Sequence, residues 1–261
     1  MERGNNKIRL LIGVGTILFA VISYYSIVEV NPNKGEEQRI ALNEEQEITM
    51  GLQALPQMAQ QHGGLHTSNE YQILVDQIGQ KLVDNSIAKQ TGYKYDFHLL
   101  ADDQTINAFA LPRGQIFITY ALFSKLQNKD QLAGILGHEI GHVVVKNGSE
   151  RMVEKGLRQG IINGVAVGID PSTAQGTAKV VQMLNMKYGR EDELQSDELA
   201  VKLMMNSGYR AQELIPVMDI LKAAAGPNRI PERMSTHPEP ENRKQKIRES
   251  IERYQQELQL Q

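Results

Sequence analysis

The chain has 261 residues, a net charge of −3 and no cysteine. Its lysines and arginines are scattered among acidic residues, so nothing in the sequence indicates a nucleic-acid-binding surface. Without cysteine the chain forms no disulfide, and any bound metal ion must be held by histidine, aspartate or glutamate.

The first segment with a clear pattern is an uncharged, mostly apolar run from Leu10 to Val28. A helix of these 19 residues is long enough to cross a hydrocarbon layer of about 30 Å. Three basic residues and only one acidic residue precede it, which predicts that residues 1–9 face the cytoplasm. We therefore expect residues 10–30 to anchor the chain in a lipid bilayer, with the rest extracytoplasmic, in the periplasm or an equivalent space.

Two other interpretations of this run remain open. A cleaved signal peptide has the same positive start and apolar middle, and its removal would leave a secreted protein. The length of the run and the absence of an A-x-A-like site after it favour an uncleaved anchor. A buried helix of a soluble domain is the third interpretation, and the apolar character of every face of the run disfavours it.

A segment rich in turn-forming residues, Asn-Pro-Asn-Lys-Gly, begins at Asn31. We expect residues 31–42 to form a linker and residues 43–261 to form one domain, because about 200 residues suit a single hydrophobic core.

The start of this domain is predicted to be helical. An amphipathic pattern with acidic residues in its first turn begins at Glu44 and ends at His62, before two glycines. Ser68 can cap a second helix that extends to about Ser86. We interpret His62 and His66, between these helices, as solvated loop residues.

The pattern then changes to the alternation typical of strands. Residues 95–100 are predicted to form one strand, and residues 107–119 two short strands around a Pro-x-Gly turn. A peptide substrate is often held as an added strand on the edge of a sheet. The segment Asn107, Ala108, Phe109 and Ala110 is the candidate edge, and an ordinary hairpin is the alternative.

The central motif is His-Glu-x-x-His at His138, Glu139 and His142. Apolar residues recur around it at helical spacing, Asn128 or Asp130 can cap the helix, and Asn147 precedes a glycine that can end it. Positions i and i+4 of a helix share one face, so both imidazoles can reach one metal ion, for which zinc is the natural candidate.

Zinc in a catalytic site keeps one position open for water and lowers the pKa of that water toward about 7. A carboxylate beside that position can accept the proton of the water and pass it to a leaving amine. Glu139 follows the first histidine directly, so the motif predicts hydrolysis of peptide bonds.

Two histidines leave a zinc site short of one protein ligand. A histidine six residues after His142 would complete one known arrangement, but that position is Gly148. A carboxylate on a later helix is therefore favoured. Glu193 and Asp197 are four residues apart in a helical pattern, so one can bind the metal while the other accepts a hydrogen bond from a ligating histidine. From the charge pattern alone, a solvated acidic first turn of a helix is the alternative.

Several segments, in this order, resemble the M48 family of zinc metallopeptidases. They are NAFALPRGQIFIT at 107–119, HEIGH at 138–142, YGREDELQSD at 188–197, and STHP at 235–238 with Arg243. The resemblance covers about residues 40 to 250. It implies one Zn²⁺ per chain held by His138, His142 and Glu193, with Glu139 as catalytic base and Asp197 bonded to a ligating histidine.

The resemblance also concerns the C-terminal part of the chain. In the family, a His-Pro loop lies close to the metal, and in some members its histidine occupies the open position and keeps the enzyme inactive. His237 matches that histidine and Arg243 a basic position, which implies a regulatory or transition-state role for both. The chain departs from the family pattern at Arg113, where glycine is common, and at Ser196, where alanine is common.

We therefore predict a mainly helical α+β fold of the zincin type, with a small antiparallel sheet, on one N-terminal transmembrane helix. The predicted activity is zinc-dependent hydrolysis of unfolded or misassembled membrane or envelope proteins, so polypeptides and the bilayer are the expected partners. Two alternatives are a zincin-fold chaperone or scaffold without turnover, and a processing peptidase of narrow specificity.

Overall fold

The computed structural model describes residues 22, 29–31, 36–38, 44–145, 188–224, 237 and 242–260. Within these residues the fold is mainly helical with a small sheet, which confirms the predicted α+β class. The helices are α1 (Glu44–Gln61), α2 (Asn69–Asp84), α3 (Tyr120–Phe123), α4 (Lys129–Val144), α5 (Arg190–Asn206), α6 (Leu214–Ala224) and α7 (Arg243–Gln259).

The helix boundaries follow from local sequence signals. Ser68 caps α2 by accepting a hydrogen bond from the Tyr71 N–H, and Asn128 caps α4 by accepting one from the Gln131 N–H at 2.9 Å. Helix α1 ends at Gln61, just before the predicted stop. Helix α4 ends at Val144, and the predicted stop at residues 147–148 lies outside the described residues.

The main sheet is mixed and has three strands: β3 (Asp96–Leu100), β4 (Ala108–Ala110) and β5 (Gln115–Thr119). Strand β5 lies between β3 and β4. The hairpin of β4 and β5 is antiparallel as predicted, but β5 pairs with β3 in parallel. The prediction of an antiparallel sheet is therefore wrong for one pairing. The reason is that the chain enters β4 in the direction opposite to β3, so β5, which is antiparallel to β4, runs in the same direction as β3.

A second, two-stranded antiparallel sheet precedes α1. Strand β1 (Glu29–Asn31) pairs with β2 (Glu36–Gln38), with Asn31 opposite Glu36. The structure thus places Glu29 and Val30, the end of the predicted anchor, in a strand, and Asn31 and Glu36–Gln38 of the predicted linker supply the rest of this sheet. The apolar run itself lies outside the described residues apart from Ile22. None of the described helices is both long and apolar enough for a membrane span.

The core surrounds α4. Every residue of this helix from Gln131 to Val144 is buried, and its neighbours are α2, the edge strand β4, α5 and α6. Strands β3 and β5 contribute the apolar side chains Phe97, Leu99 and Ile116 to the same core. Burial on all sides fixes the direction of each polar side chain on α4, because no rotation about the helix axis is possible without unpacking the core.

The structure corrects the interpretation of His62 and His66 as solvated. His62 Nδ1 lies 2.8 Å from Asp102 Oδ2, and both side chains are only 12% exposed. Burial raises the pKa of Asp102, but hydrogen bonds from Thr105, His62 and Gln104 outweigh it and lower that pKa to about 2. The ring of His66 stacks on Tyr120 with centroids 4.6 Å apart. His62 therefore packs against the loop that follows the strand Asp96–Leu100, and His66 packs against the start of α3.

Candidate metal centre

Helix α4 directs its two histidines to one point. His138 and His142 are 1% and 2% exposed, and their Nε2 atoms lie 3.1 Å apart. The spacing of four residues produces this arrangement because it places the two rings one turn apart on the same face.

Helix α5 brings a carboxylate to the same point. Glu193 is fully buried, with Oε1 at 3.4 Å from His142 Nε2 and Oε2 at 3.5 Å from His138 Nε2. It lies in the first turn of α5, where the helix dipole stabilises negative charge.

His237 is the fourth member of this cluster. It is 3% exposed, and its Nδ1 atom lies 3.2 Å from His142 Nε2 and 3.4 Å from His138 Nε2. The same Nδ1 atom is 2.9 Å from Glu193 Oε1. The structure thus brings His237 to the two histidines of α4, although almost 100 residues separate them in sequence.

The separations of these four donors are close to those around a tetrahedral ion. Bonds of about 2.0 to 2.1 Å to a tetrahedral zinc ion place its donor atoms roughly 3.3 Å apart. The distances range from 2.9 Å, between His237 Nδ1 and Glu193 Oε1, to 3.5 Å, between His138 Nε2 and Glu193 Oε2, and the four donor atoms lie within 4.8 Å of one another. Three imidazoles and one carboxylate form a donor set that suits zinc. The cluster His138, His142, Glu193 and His237 could therefore hold a metal ion.

Asp197 and Arg243 form hydrogen bonds and ion pairs with members of this cluster. Asp197 Oδ1 accepts a hydrogen bond from His138 Nδ1 at 2.9 Å, and Arg243 bonds both carboxylate oxygens, with Nε at 2.5 Å and a terminal nitrogen at 2.8 Å. A second guanidinium nitrogen of Arg243 is 3.1 Å from Glu193 Oε2. Arg243, at the start of α7, thus offsets the negative charges of two buried carboxylates, those of Glu193 and Asp197.

The pKa shifts follow from these contacts. Burial raises the pKa of Glu193, but His237, His138 and His142 outweigh it, so this pKa lies well below its ordinary value. Burial likewise raises the pKa of Asp197, and Arg243 with His138 lowers it below its ordinary value. Both side chains are therefore carboxylates, the form that binds a cation or accepts hydrogen bonds.

Two further side chains contact His142, and sequence reasoning did not assign a role to either. Ser196 Oγ lies 2.9 Å from His142 Nδ1. The Tyr188 ring stacks on the His142 ring, with centroids 3.9 Å apart and an interplanar angle of 19°. Ser196 could have been found from its position, since residues three and four after Glu193 lie on the same helical face. Tyr188 begins the segment at 188–197 that carries the family resemblance, but no spacing rule predicts its contact with His142.

Glu139 and the predicted substrate edge lie close to the cluster. Burial lowers the pKa of His142 below its ordinary value, and the negative charge of Glu139, which is fully buried on α4, acts in the opposite direction. Strand β4 packs against α4 and is an outer strand of its sheet.

The pairing of β4 determines which backbone groups face outward. Asn107 accepts a hydrogen bond from the Thr119 N–H at 3.0 Å, so alternation along the strand directs the backbone groups of Ala108 and Ala110 away from β5. These residues are covered in this structure, since Ala108 is 0% and Ala110 6% exposed.

Comparison with known proteins decides the family. The sequence profile of peptidase family M48 matches residues 70–251, which include all four donors, Glu139, Asp197 and Arg243. The chain belongs to peptidase family M48.

Individual relatives agree with this assignment to the M48 family. The chain is 24% identical over 251 residues to the beta-barrel assembly-enhancing protease of Escherichia coli strain K12, covering 91% of this chain and 50% of that protein. It is 27% identical over 256 residues to the mitochondrial metalloendopeptidase OMA1 of Homo sapiens, covering 91% and 49%. The chain thus spans about half the length of these M48 relatives.

Proposed function

We propose that this M48 protein is a membrane-anchored zinc endopeptidase that cleaves unfolded or misassembled membrane and envelope proteins. The observation that carries the proposal is the set of four buried donors, within 4.8 Å of one another, at the His-Glu-x-x-His helix. The family supports hydrolysis of peptide bonds, and the donor set supports zinc.

In the proposed site, His138, His142 and Glu193 hold the ion. When bound, zinc supplies Lewis-acid polarisation of the scissile carbonyl and acidification of a water molecule. The carboxylate of Glu139 accepts a proton from the attacking water and delivers it to the leaving amine nitrogen. Asp197 orients His138 through its hydrogen bond to Nδ1, and Arg243 holds Asp197 in place.

The preference for unfolded chains follows from strand β4. A substrate that adds a strand beside Ala108 and Ala110 is bound through its backbone, so it must be extended but its sequence matters little. The name of the relative from Escherichia coli, a beta-barrel assembly-enhancing protease, is consistent with substrates in the cell envelope. The predicted anchor at residues 10–30 would place the domain at such substrates.

Cleavage of unfolded casein tests this function, with a compact folded protein of similar size as the comparison. We expect casein to be degraded at many sites and the folded protein to remain intact, because only an extended chain can pair with β4. Mass spectrometry of the products identifies the cut sites. Equal cleavage of both proteins would contradict the preference for unfolded chains, and a single cut in one protein would favour the narrow processing peptidase.

His237 fills the position that a catalytic zinc site keeps open for water. With His237 in the cluster the four donors are all protein atoms, as in a structural site. The covered edge of β4 fits the same state, since a substrate could not bind there without displacement of its cover. We therefore interpret the described arrangement as a latent form of the protease, in which His237 caps the metal.

Replacing His237 with alanine is expected to raise basal casein cleavage about 10-fold or more, because a form that is open for only a minor fraction of the time becomes the only form. Zinc content should remain near one per chain, since His138, His142 and Glu193 are still present. The measurement is the initial rate of casein cleavage beside the wild type.

His66→Ala is the matched control, because His66 lies outside the cluster and packs on Tyr120. Its cleavage rate should equal that of the wild type. If His237→Ala has no effect on the rate or reduces it, His237 does not act as a cap. Absence of casein cleavage by both the wild type and His237→Ala would favour the alternative function, a scaffold of zincin fold without turnover.

A further inference from the structure

The two histidines of α4 have different partners on their outer nitrogens. His138 Nδ1 bonds a carboxylate, Asp197, whereas His142 Nδ1 lies 2.9 Å from a hydroxyl, Ser196 Oγ. Ser196 is fully buried, and His142 is 2% exposed. Neighbouring residues of α5 thus contact the two rings separately.

We propose that Ser196 positions His142 as a metal ligand by accepting a hydrogen bond from its Nδ1–H group. The proposal rests on the zinc site of the proposed function. It assigns to Ser196 a role in metal affinity that the ligand set alone does not contain.

The protonation state of the ring supports this direction of the hydrogen bond. His142 Nε2 faces the donor cluster, at 3.1 Å from His138 Nε2 and 3.4 Å from Glu193 Oε1. A ligating nitrogen must offer a lone pair, so the neutral ring carries its proton on Nδ1. A buried N–H group requires an acceptor, and Ser196 Oγ is at hydrogen-bonding distance.

The packing of α4 on α5 explains why a serine serves here. A Cβ atom at Gly141 would lie 3.0 Å from both the Cα and the carbonyl oxygen of Ser196, so the two backbones almost touch. One turn away, a Cβ atom at Gly137 would lie 3.4 Å from the Cα of Ala200, so the two helices are close there as well. Close packing by itself is satisfied by alanine, as at Ala200. Ser196 adds a hydroxyl group to this contact between α4 and α5. Serine is the smallest residue whose side chain has a hydrogen-bond acceptor.

Zinc affinity of the full chain tests the proposal. Ser196→Ala deletes the hydrogen-bond acceptor and still fits the close contact between α4 and α5. Ser207→Ala is the control, because it deletes a buried hydroxyl group at the end of the same helix, one that donates a hydrogen bond to the carbonyl of Lys81. We expect Ser196→Ala to weaken zinc binding about 10-fold, the lower end of the effect of partners of ligating histidines. Ser207→Ala should bind zinc as the wild type does. Competition with a chromophoric chelator measures both.

The visible spectrum of the Co²⁺-substituted protein gives a second readout. Loss of the hydrogen bond frees the His142 ring to rotate, so the ligand-field bands of Ser196→Ala should shift, while those of Ser207→Ala should not. If Ser196→Ala keeps the affinity and the spectrum of the wild type, Ser196 only fills space and the proposal is wrong. If the wild type itself binds no zinc, the proposed function fails and this proposal fails with it.

Discussion

Replacing Glu139 with glutamine is expected to reduce casein cleavage by about 10²- to 10⁴-fold, the usual contribution of a general base. Glutamine has nearly the same shape as glutamate, but its amide cannot accept the proton of the attacking water. The side chain is fully buried on α4, so an isosteric replacement is needed to avoid a cavity. The initial rate of cleavage, measured with the full chain, gives the effect.

Two controls make the result for Glu139→Gln specific. Zinc content should stay near one per chain, because the four donors of the cluster are unchanged. The same replacement should also be made in the His237→Ala background, where the expected basal rate is higher and a loss is easier to measure. Undiminished cleavage in both backgrounds would show that the proton acceptor is another residue. Binding of casein without cleavage is expected of the variant, and a scaffold would bind it equally with or without Glu139.

Loss of zinc is the expected result of replacing Glu193 with alanine. This carboxylate contacts His142, His237 and Arg243, and it supplies the negative charge nearest to the proposed ion. Loss of a ligand should weaken zinc binding by more than the roughly 10- to 100-fold effect of losing a hydrogen-bond partner of a ligand. Elemental mass spectrometry of the purified chain, prepared without chelators, measures the zinc retained.

Glu191→Ala is the matched control for Glu193→Ala. Glu191 lies in the same acidic first turn of α5 but is exposed, so its removal should leave the zinc content near one per chain. Glu193→Ala leaves three histidines, and the double variant with His237→Ala leaves only two. If Glu193→Ala retains zinc as the wild type does, Glu193 is not a required ligand and the proposed ligand set is contradicted.

Local sequence signals predicted much of the fold. Helical spacing and capping residues predicted α2 and α4, and the alternating pattern predicted the hairpin of β4 and β5, all of which the structure confirms. These elements are predictable because their determinants lie within a few residues of one another. The parallel pairing of β3 with β5 is different, because it depends on the path of the chain between β3 and β4.

The sequence by itself determined the chemistry that the site could perform. Spacing alone placed His138 and His142 on one face of a helix, the order of motifs indicated the M48 family, and the absence of cysteine restricted the metal ligands to histidine and carboxylates. Each of these inferences needs only neighbouring residues or residue types.

The tertiary structure decided which distant side chains meet and how close they come. It brought His237 into contact with Glu193 and Arg243 into contact with Asp197, and it gave Ser196 a partner on His142. It also placed His62, which the sequence had suggested to be solvated, in a half-buried position beside Asp102. The physical reason is that such contacts depend on the packing of α4, α5 and α7 against one another. Helical periodicity specifies which face of each helix is buried, but the distances between side chains on different helices follow from the whole core.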